Sequence, residues 1–379
     1  MTIGILGGGQ LGYMLALAGY PLGLHFRFFD PSPEAPVGRI ASRVTAEFTD
    51  EYALEKFANG LELVTYEFEN VPVAAARFLA ERVPVYPPAN ALEEAQDRLS
   101  EKKLFGKLGI STAEFAEVSS RKELDAALGK IALPAILKTQ RLGYDGKGQW
   151  LLRTEADAAQ ARRKMPDVAL ILEKFVPFTR ELSMLGVRGR TGEIAFYPMV
   201  ENYHREGILR LSLAPAPKLT EKLQREAEEA TRRVLEELGY VGVLCIEYFE
   251  VEGKLLANEM APRVHNSGHW SIEGAVTSQF ENHLRAVTGM PLGLTAATGH
   301  SAMINLIGEV PKADEVLQVP NAHLHLYGKA AREGRKLGHV TVTTSTVEEL
   351  KKRVAELPMF FQRPEFCLEK ESEVLVKRA

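Results

Sequence analysis

At 379 residues, 45% of them hydrophobic and 25% charged, the chain is too long for one ordinary core, and two or three domains are expected. A formal charge of −4 offers no basic field to a nucleic-acid backbone, which excludes nucleic acid as an expected partner. Cys245 and Cys367 lie far apart and outside metal-ligand spacing, which points to a reducing compartment rather than a disulfide framework. The opening MTIGILGGGQ has no basic leader, and no segment approaches about 18 unbroken apolar residues, so a cytoplasmic, membrane-free protein is expected.

The first hundred residues alternate short apolar strands with helical stretches: TIGIL, a helix from about Gln10 to Gly19, LHFRFFD, a helix near Glu51 to Ala58, and LELVTYEF. That alternation predicts an α/β unit with a parallel sheet. A break at Pro87 and Pro88, followed by a charged segment of helical period, marks a domain boundary. From Phe115 to Lys174 short strands recur with one or two helices. Longer strands and hairpins follow, interrupted by a helix capped by Thr220 and closed by Gly239. After GMPLGLTAATG, a small mostly β unit is expected from about 300, with a helix at about Thr346 to Glu356. The chain contains no internal repeat, heptad run or low-complexity tract.

Gly7, Gly9 and Gly12 in GILGGGQLG have G-x-G-x-x-G spacing after a predicted strand, and Asp30 ends the second strand. Three readings stay open: a nicotinamide dinucleotide, another phosphate-bearing ligand at a helix N-terminus, or a tight structural turn.

VLCIEYFEVEGKLLANEM predicts a hairpin about Glu252, Gly253 and Lys254. Centred on Gly253, it sets Glu247 opposite Glu259. Alternation puts Glu247 with Val243, Cys245 and Phe249, and Glu259 with Leu255 and Ala257. Opposed carboxylates about 5 Å apart on an apolar side repel unless a cation lies between them, and magnesium carried in with a nucleotide suits two hard oxygens. The alternative is an ordinary acidic hairpin, since Glu250 and Glu252 are also present.

MAPRVHNSGHWS follows directly. His265 and His269 have zinc-helix spacing, but Pro262 and Gly268 interrupt it and no glutamate occupies the next position. A small-anion pocket fits better, with the Arg263 fork and with His265 and Asn266 as further donors. The competing reading pairs Arg263 with a nearby glutamate. Upstream, PAILKTQ sets Lys138 in or at the end of a strand, where a buried ammonium needs an anion. RLGYDGKGQW then brings Lys147 on a glycine-rich strip, which is either a solvent loop or a phosphate lid. It is no Walker motif, because no serine or threonine follows Lys147. In LILEKFVPFTRELSM, Glu173 ends a strand before a proline-marked connector whose backbone suits an adenine edge, and Glu181 suits ribose hydroxyls.

The order Lys138, glycine-rich lid, EKFV, then Glu247 and Glu259 resembles the ATP-grasp ligases. Within them, GGGQLG, YEFENV, GYDGKGQ, NEMAPRVHNSGHW and HLYGKAAREGRKLGH resemble the N5-carboxyaminoimidazole ribonucleotide synthetase family almost end to end. The nearest relative, the formate-dependent glycinamide ribonucleotide transformylase, typically has glutamate at Gln10 and aspartate at Asn266, so both positions favour the bicarbonate family. The resemblance implies an N-terminal Rossmann-like domain over 1–96, a two-part ATP-grasp domain over 97–299 with a lid subdomain at about 113–173, and a small C-terminal domain over 300–379. It implies an ATP site of Arg98, Lys138, Gly143, Tyr144, Asp145, Gly146, Lys147, Gly148, Gln149, Glu173, Lys174, Phe175, Val176, Glu181, His204, Asn258 and Glu259. Magnesium would sit on Glu247 and Glu259, and bicarbonate on Arg263, His265 and Asn266. The ribonucleotide would lie among Gly8, Gln10, Leu11, Glu69, Tyr144, Asp145, Lys329, Arg335 and Lys336. The implied reaction runs from bicarbonate and ATP through carboxyphosphate to carboxylation of the amine of aminoimidazole ribonucleotide. Asp145 is the candidate base, with Tyr144 beside it, and the lid excludes water. A homodimer is the implied assembly. A nicotinamide oxidoreductase would leave the lid, the glutamate pair and the anion loop without roles. A non-catalytic nucleotide-binding protein would bind ATP without turnover.

Overall fold

The computed structural model describes residues 1–143 and 148–358 of the chain. Its first unit is a parallel sheet of β1 (Thr2–Leu6), β2 (His25–Phe29), β3 (Ser42–Val44) and β4 (Leu63–Tyr66), in the order β3-β2-β1-β4. Strands β1 and β4 are near-continuous apolar runs because both faces are covered, Ile3 and Ile5 entering one core and Leu6, Val64 and Tyr66 another. Helices Gln10–Gly19 and Glu51–Ala58 form at the expected bounds, the second capped by Asp50, which accepts the Ala53 N–H. Strand β3 escaped the sequence reading because SRV has no apolar alternation of its own.

The charged segment after Pro88 divides into helices Ala89–Ala95 and Arg98–Lys107, because the Asp97 side chain accepts the Leu99 and Ser100 N–H groups and starts a new helix. Next comes a separate antiparallel sheet of β5 (Phe115–Val118), β6 (Ala135–Thr139), β7 (Gln149–Leu152) and β8 (Leu170–Lys174), ordered β5-β8-β6-β7. Helices Arg121–Lys130 and Glu155–Lys164 cover one face of it around Leu124, Leu137, Leu152, Leu170 and Leu172.

The central sheet contains β9 (Arg180–Arg188), β10 (Ile194–Phe196), β11 (Val200–Arg205), β12 (Ile208–Ala214), β13 (Gly242–Val251), β14 (Lys254–Ala261), β15 (His300–Ile307), β16 (Ala322–Leu326) and β17 (Lys336–Thr344). The order is β14-β13-β9-β11-β12-β15-β17-β16, with β10 beside β9. The mostly β unit expected after 300 extends this sheet: β15 pairs with β12, and Leu211, Leu213, Ala302 and Ile304 share one core. On one face, Met184, Leu244, Ile246 and Tyr248 pack against helix Glu221–Glu237, which Thr220 caps and Gly239 follows at φ +56°. On the other, Leu185, Val243 and Cys245 meet helix Gln279–Thr288, which packs in turn on Gln10–Gly19 and so docks the first sheet on the central one. Each fully buried Leu or Ile in these layers contributes about 1.5–3 kcal/mol. Among the described residues no helix is long and apolar enough to cross a membrane.

A buried histidine joins the two sheets. His283 Nδ1 accepts the Val243 N–H (3.2 Å), which leaves Nε2–H to donate to Thr65 Oγ1 (2.9 Å). Burial lowers its pKa from 6.5 to about 4. As pH falls through 6.5 the unfolded chain takes up a proton and the folded protein does not, so stability is full above 6.5 and declines toward pH 4. The melting temperature of His283→Gln is therefore expected to fall less steeply than that of the parent across this window; parallel curves would refute the assignment.

Candidate active site at the edge of the central sheet

Glu247 on β13 is the register partner of Glu259 on β14. The route to that pairing differs from the sequence expectation. From the two-residue turn at Glu252 and Gly253, the ladder runs Val251 to Lys254, Glu250 to Leu255, Phe249 to Leu256 and Tyr248 to Ala257, a register that would give Glu247 the partner Asn258. A β-bulge at Asn258 inserts one residue and brings Glu259 opposite instead. It also corrects the expected face. Leu255 and Ala257 enter the core of Ile246 and Tyr248, whereas Glu259 joins Glu247 on the side of Cys245 and Ala261. The side chains keep 16% (Glu247) and 43% (Glu259) of their surface exposed, so both carboxylates reach the cleft. Burial, with Glu259 and Glu181 nearby, pushes the Glu247 carboxyl up to about 7, despite the opposing effect of His204. Burial opposes ionisation of Glu259 too, but Arg98 and Lys138 hold its pKa below the usual carboxylate value. Among the described residues no group of three or more His, Cys, Asp or Glu could hold a metal, so an ion on this pair must draw its remaining ligands from elsewhere.

The Arg263–Asn266 loop stands on a buried hydrogen-bond chain absent from the sequence reading. Ser212 Oγ donates to Asn202 Oδ1 (2.7 Å), Asn202 Nδ2 to Ser183 Oγ (3.0 Å), Ser183 Oγ to Ser267 Oγ (2.8 Å), and Ser267 Oγ to His265 Nδ1 (2.8 Å). Because the Ser267 N–H also points to Nδ1, that nitrogen is an acceptor and the ring proton lies on Nε2, 3.4 Å from Glu247 Oε1. Burial, Arg263 and Lys336 lower the pKa of His265 well below 6.5 and keep the ring neutral. The Gln279 side chain binds both the N–H and the C=O of His265. Asn266 and Asn305 exchange a reciprocal pair of amide hydrogen bonds (3.1 and 2.8 Å). Arg263 pairs with a glutamate, but one from the first sheet unit: Nη2 meets Glu69 Oε2, while Nη1 donates to Val264 O.

Facing this loop is a buried ionic cluster. Lys138 Nζ lies 3.0 Å and Lys102 Nζ 3.6 Å from Glu173 Oε2. Burial opposes ionisation of Glu173, but Lys138 and Lys102 outweigh it and hold the pKa at about 2. Arg98 Nη1 donates to Glu259 Oε2 (3.1 Å) and Nη2 to Gly143 O (3.3 Å). His204, beside a bulge in β11, places Nδ1 2.9 Å from Glu181 Oε2; burial would lower its pKa, yet Glu181 raises it to about 9. Gly148 and Gln149 flank this cluster through the pairing of Gln149 with Lys138.

The glycine turn holds an internal carboxyl group, whose pKa burial raises against the opposing Gly9 and Gly12 N–H bonds. Glu67 Oε1 accepts the Gly9 N–H (2.8 Å), Glu67 Oε2 the Gly12 N–H (3.1 Å), and Asp30 Oδ2 the Gly8 N–H (2.7 Å). A Cβ at Gly7, which has φ +97°, or at Gly9 would come within 2.7 or 2.8 Å of Glu67 Oε1, so these glycines make room for a carboxylate of the same chain. A dinucleotide pyrophosphate has no seat there, which removes the oxidoreductase reading. Lys329 Nζ donates to Gln10 Oε1, and burial lowers its pKa to about 8.

The structure thus brings Arg98, Lys138, Glu181, His204, Glu247, Asn258, Glu259, Arg263, His265 and Asn266 together, with Lys336 acting electrostatically on Glu247 and His265. Glu69, Gln10 and Lys329 adjoin this group through Arg263 and the buried Glu67. Several expected residues are turned otherwise. Glu173 is 3% exposed and serves as a counter-ion, and the Lys174 ammonium pairs on the surface with Glu114. The Phe175 N–H bonds to Pro134 O, and Val176 is buried. Leu11 packs its side chain in the core, the Gly8 N–H is taken by Asp30, and Arg335 bonds to Ala330 O of its own loop. Tyr144, Asp145, Gly146 and Lys147 lie outside the described residues. Glu67, Glu101, Lys102, Ser183, Asn202 and Gln279 were missed, although YEFENV contains Glu67, LILEKFVPFTRELSM contains Ser183, and Glu101 and Lys102 follow Arg98 in the charged helical segment.

Comparison with known proteins matches three family models: a ribonucleotide synthetase preATP-grasp domain over residues 1–96, an ATP-grasp domain over 103–280, and a phosphoribosylaminoimidazole carboxylase C-terminal domain over 301–353. An N5-carboxyaminoimidazole ribonucleotide synthase of Pseudomonas aeruginosa is 54% identical over 357 residues, 94% of this chain and 98% of that one. The crystal structure of N5-carboxyaminoimidazole ribonucleotide synthetase from Thermus thermophilus matches with a TM-score of 0.90 at 61% identity, covering 93% of this chain and 97% of that one. An Aspergillus clavatus N5-carboxyaminoimidazole synthase in complex with ADP and 5-aminoimidazole ribonucleotide matches with a TM-score of 0.89 at 31% identity, covering 96% of this chain and 98% of that one.

Glu67→Gln replaces one accepting oxygen by an amide donor facing the glycine N–H groups. A loss of about 1–3 kcal/mol in urea-unfolding stability is expected, and an unchanged midpoint would exclude the internal-carboxyl account of the turn.

Proposed function

The chain belongs to the N5-carboxyaminoimidazole ribonucleotide synthases, ATP-grasp ligases of purine biosynthesis, and on that premise we propose how its residues divide the work. The reaction is the ATP-dependent carboxylation of the exocyclic amine of 5-aminoimidazole ribonucleotide by bicarbonate, giving N5-carboxyaminoimidazole ribonucleotide, ADP and phosphate. The observation that carries the assignment is the register pairing of Glu247 with Glu259 beside the Arg263 loop. Two hard-oxygen carboxylates, one pushed up to about 7 by burial and its acidic neighbours, fit magnesium brought in with the nucleotide. When bound, the ion supplies charge neutralisation at the transferred phosphoryl group.

Arg98 and Lys138 point positive charge toward the same cleft and favour the nucleotide phosphates; Glu181 and His204 lie farther along it, toward the sugar. Bicarbonate attacks the γ-phosphorus to give carboxyphosphate and ADP, a step that depends on positioning and charge. Arg263 and the His265 Nε2–H face the anion as donors, and the neutral ring donates without adding charge. Asn266 keeps one amide hydrogen beyond its bond to Asn305. The ribonucleotide lies toward Glu69, Gln10, Lys329 and Lys336, its amine directed at the carboxyl carbon. Asp145 remains our candidate for the amine proton, with Tyr144 next to it in sequence. We assign the working enzyme to the cytoplasm as a homodimer, on the family resemblance.

Phosphate release from ATP is expected with aminoimidazole ribonucleotide plus bicarbonate, and not with glycinamide ribonucleotide plus formate. The opposite pattern would reassign the substrate. Arg263→Ala is expected to lower kcat by roughly a hundredfold or more, and near-normal turnover would remove the anion-pocket role. Glu247→Gln and Glu259→Gln should each raise the magnesium concentration needed for half-saturation, and an unshifted magnesium titration would sink the metal assignment.

A further inference from the structure

We propose that Glu101 and Lys102 are positioning residues for the ligase reaction: they clamp the main chain on both sides of the Asn258 bulge and so keep Glu259 opposite Glu247. The inference rests on the proposed metal role of those two glutamates.

Strand β14 is the edge of the central sheet, so one side of its backbone has no strand partner. Helix Arg98–Lys107 and the segment after it occupy that side. Lys102 Nζ donates to Asn258 O (2.9 Å) and to Ala257 O (3.4 Å), Glu101 Oε1 accepts the Met260 N–H (2.6 Å), and Ser111 O accepts the Ala257 N–H (2.8 Å). Arg98, Glu101 and Lys102 stand at i, i+3 and i+4, one face of the helix, and contact in turn the Glu259 carboxylate, the amide after it and the carbonyl before it.

The clamp acts where the register is undecided. Without the extra residue the ladder from the turn would continue by pairing Glu247 with Asn258, and a one-residue slip turns every side chain beyond it to the other face. Glu259 would then join Ile246 and Tyr248 in the apolar core, away from Glu247. A bulge leaves backbone groups unpaired, and the ammonium and carboxyl of two adjacent helix residues satisfy those here. Both clamp side chains are 2% exposed, so neither is a solvated surface charge that meets the strand by chance. The plainer alternative, that Lys102 only balances Glu173, does not match the distances. Lys138 is the nearer cation to that carboxylate, 3.0 Å against 3.6 Å, and the shortest bond of Lys102 is to Asn258 O.

The test measures manganese binding in the presence of ADP by electron paramagnetic resonance, and ribonucleotide binding by calorimetry, in the parent, Lys102→Met and Glu247→Gln. Lys102→Met is expected to weaken manganese binding at least tenfold while ribonucleotide affinity stays within threefold, and its crystal structure should show Glu247 no longer facing Glu259. Glu101→Leu, which removes the acceptor for the Met260 amide, should do the same and stands in if Lys102→Met fails to fold. Unchanged manganese affinity in a folded clamp variant overturns the proposal, as does a parallel loss of both affinities or a retained Glu247–Glu259 register. If Glu247→Gln loses manganese while the clamp variants keep it, the clamp alone falls; if Glu247→Gln also binds normally, the metal reading falls with it.

Discussion

Two carboxylates set directly opposite each other on neighbouring strands form the constraint around which this molecule is organised. Like charges at cross-strand distance repel, and removing them from water raises the cost. The response is asymmetric. Arg98 holds Glu259 ionised, while Glu247 is left with an elevated pKa that His204 and Lys336 oppose without reversing. The compensating cations come from different units: Arg98 from the helix after the first sheet, Lys138 from the four-stranded antiparallel sheet, His204 from the central sheet, and Lys336 from β17 of that sheet. The electrostatic balance at the pair therefore depends on correct assembly of every unit.

The same logic sets what is buried without solvent. Glu173 lies under both Lys138 and Lys102, and breaking such a group by removing one partner typically costs about 3–5 kcal/mol. An apolar replacement of the whole cluster would spare that risk. The retained charges fix where the four-stranded antiparallel sheet sits relative to the bulged edge, because Lys138 and Glu173 belong to that sheet whereas Lys102 holds the carbonyl of Asn258.

Local chemistry was legible in the sequence. Periodicity located helices Gln10–Gly19, Glu51–Ala58 and Glu221–Glu237, and turn residues located the hairpin. What alternation cannot reveal is an inserted residue. Glu259 was expected opposite Glu247 because the turn centre was displaced by half a residue, and the bulge compensates for that displacement while reversing the inferred face. Contacts distant in sequence were equally hidden. Nothing near GGGQLG announces that Glu67, 58 positions after Gly9, fills the turn, and nothing near His265 announces that Ser183, Asn202 and Ser212 from three strands buttress the Ser267 that fixes its tautomer. The merging of β15 to β17 with the central sheet was illegible for the same reason, since strand order is decided by which edge is left open.

The internal carboxylate in the glycine turn bears on more than fold recognition. A helix N-terminus attracts an anion, and here the attraction is satisfied within the chain, so the turn is already organised without a ligand. Glu67 then acts in the other direction. Its charge reaches both Lys329 and Arg263, and Lys329 in turn binds Gln10 at the start of the same helix. Arg39 of the first unit also donates to Gly328 O, next to Lys329. The first sheet and the C-terminal strands share no ladder, yet they meet through these polar contacts at the place where the Arg263–Asn266 loop sends Arg263 to Glu69. Under the proposed ribonucleotide site, a ligand that took over Glu69 would free Arg263, and one that took over Lys329 would change the field of Glu67 that reaches Arg263, so the two proposed subsites would be coupled.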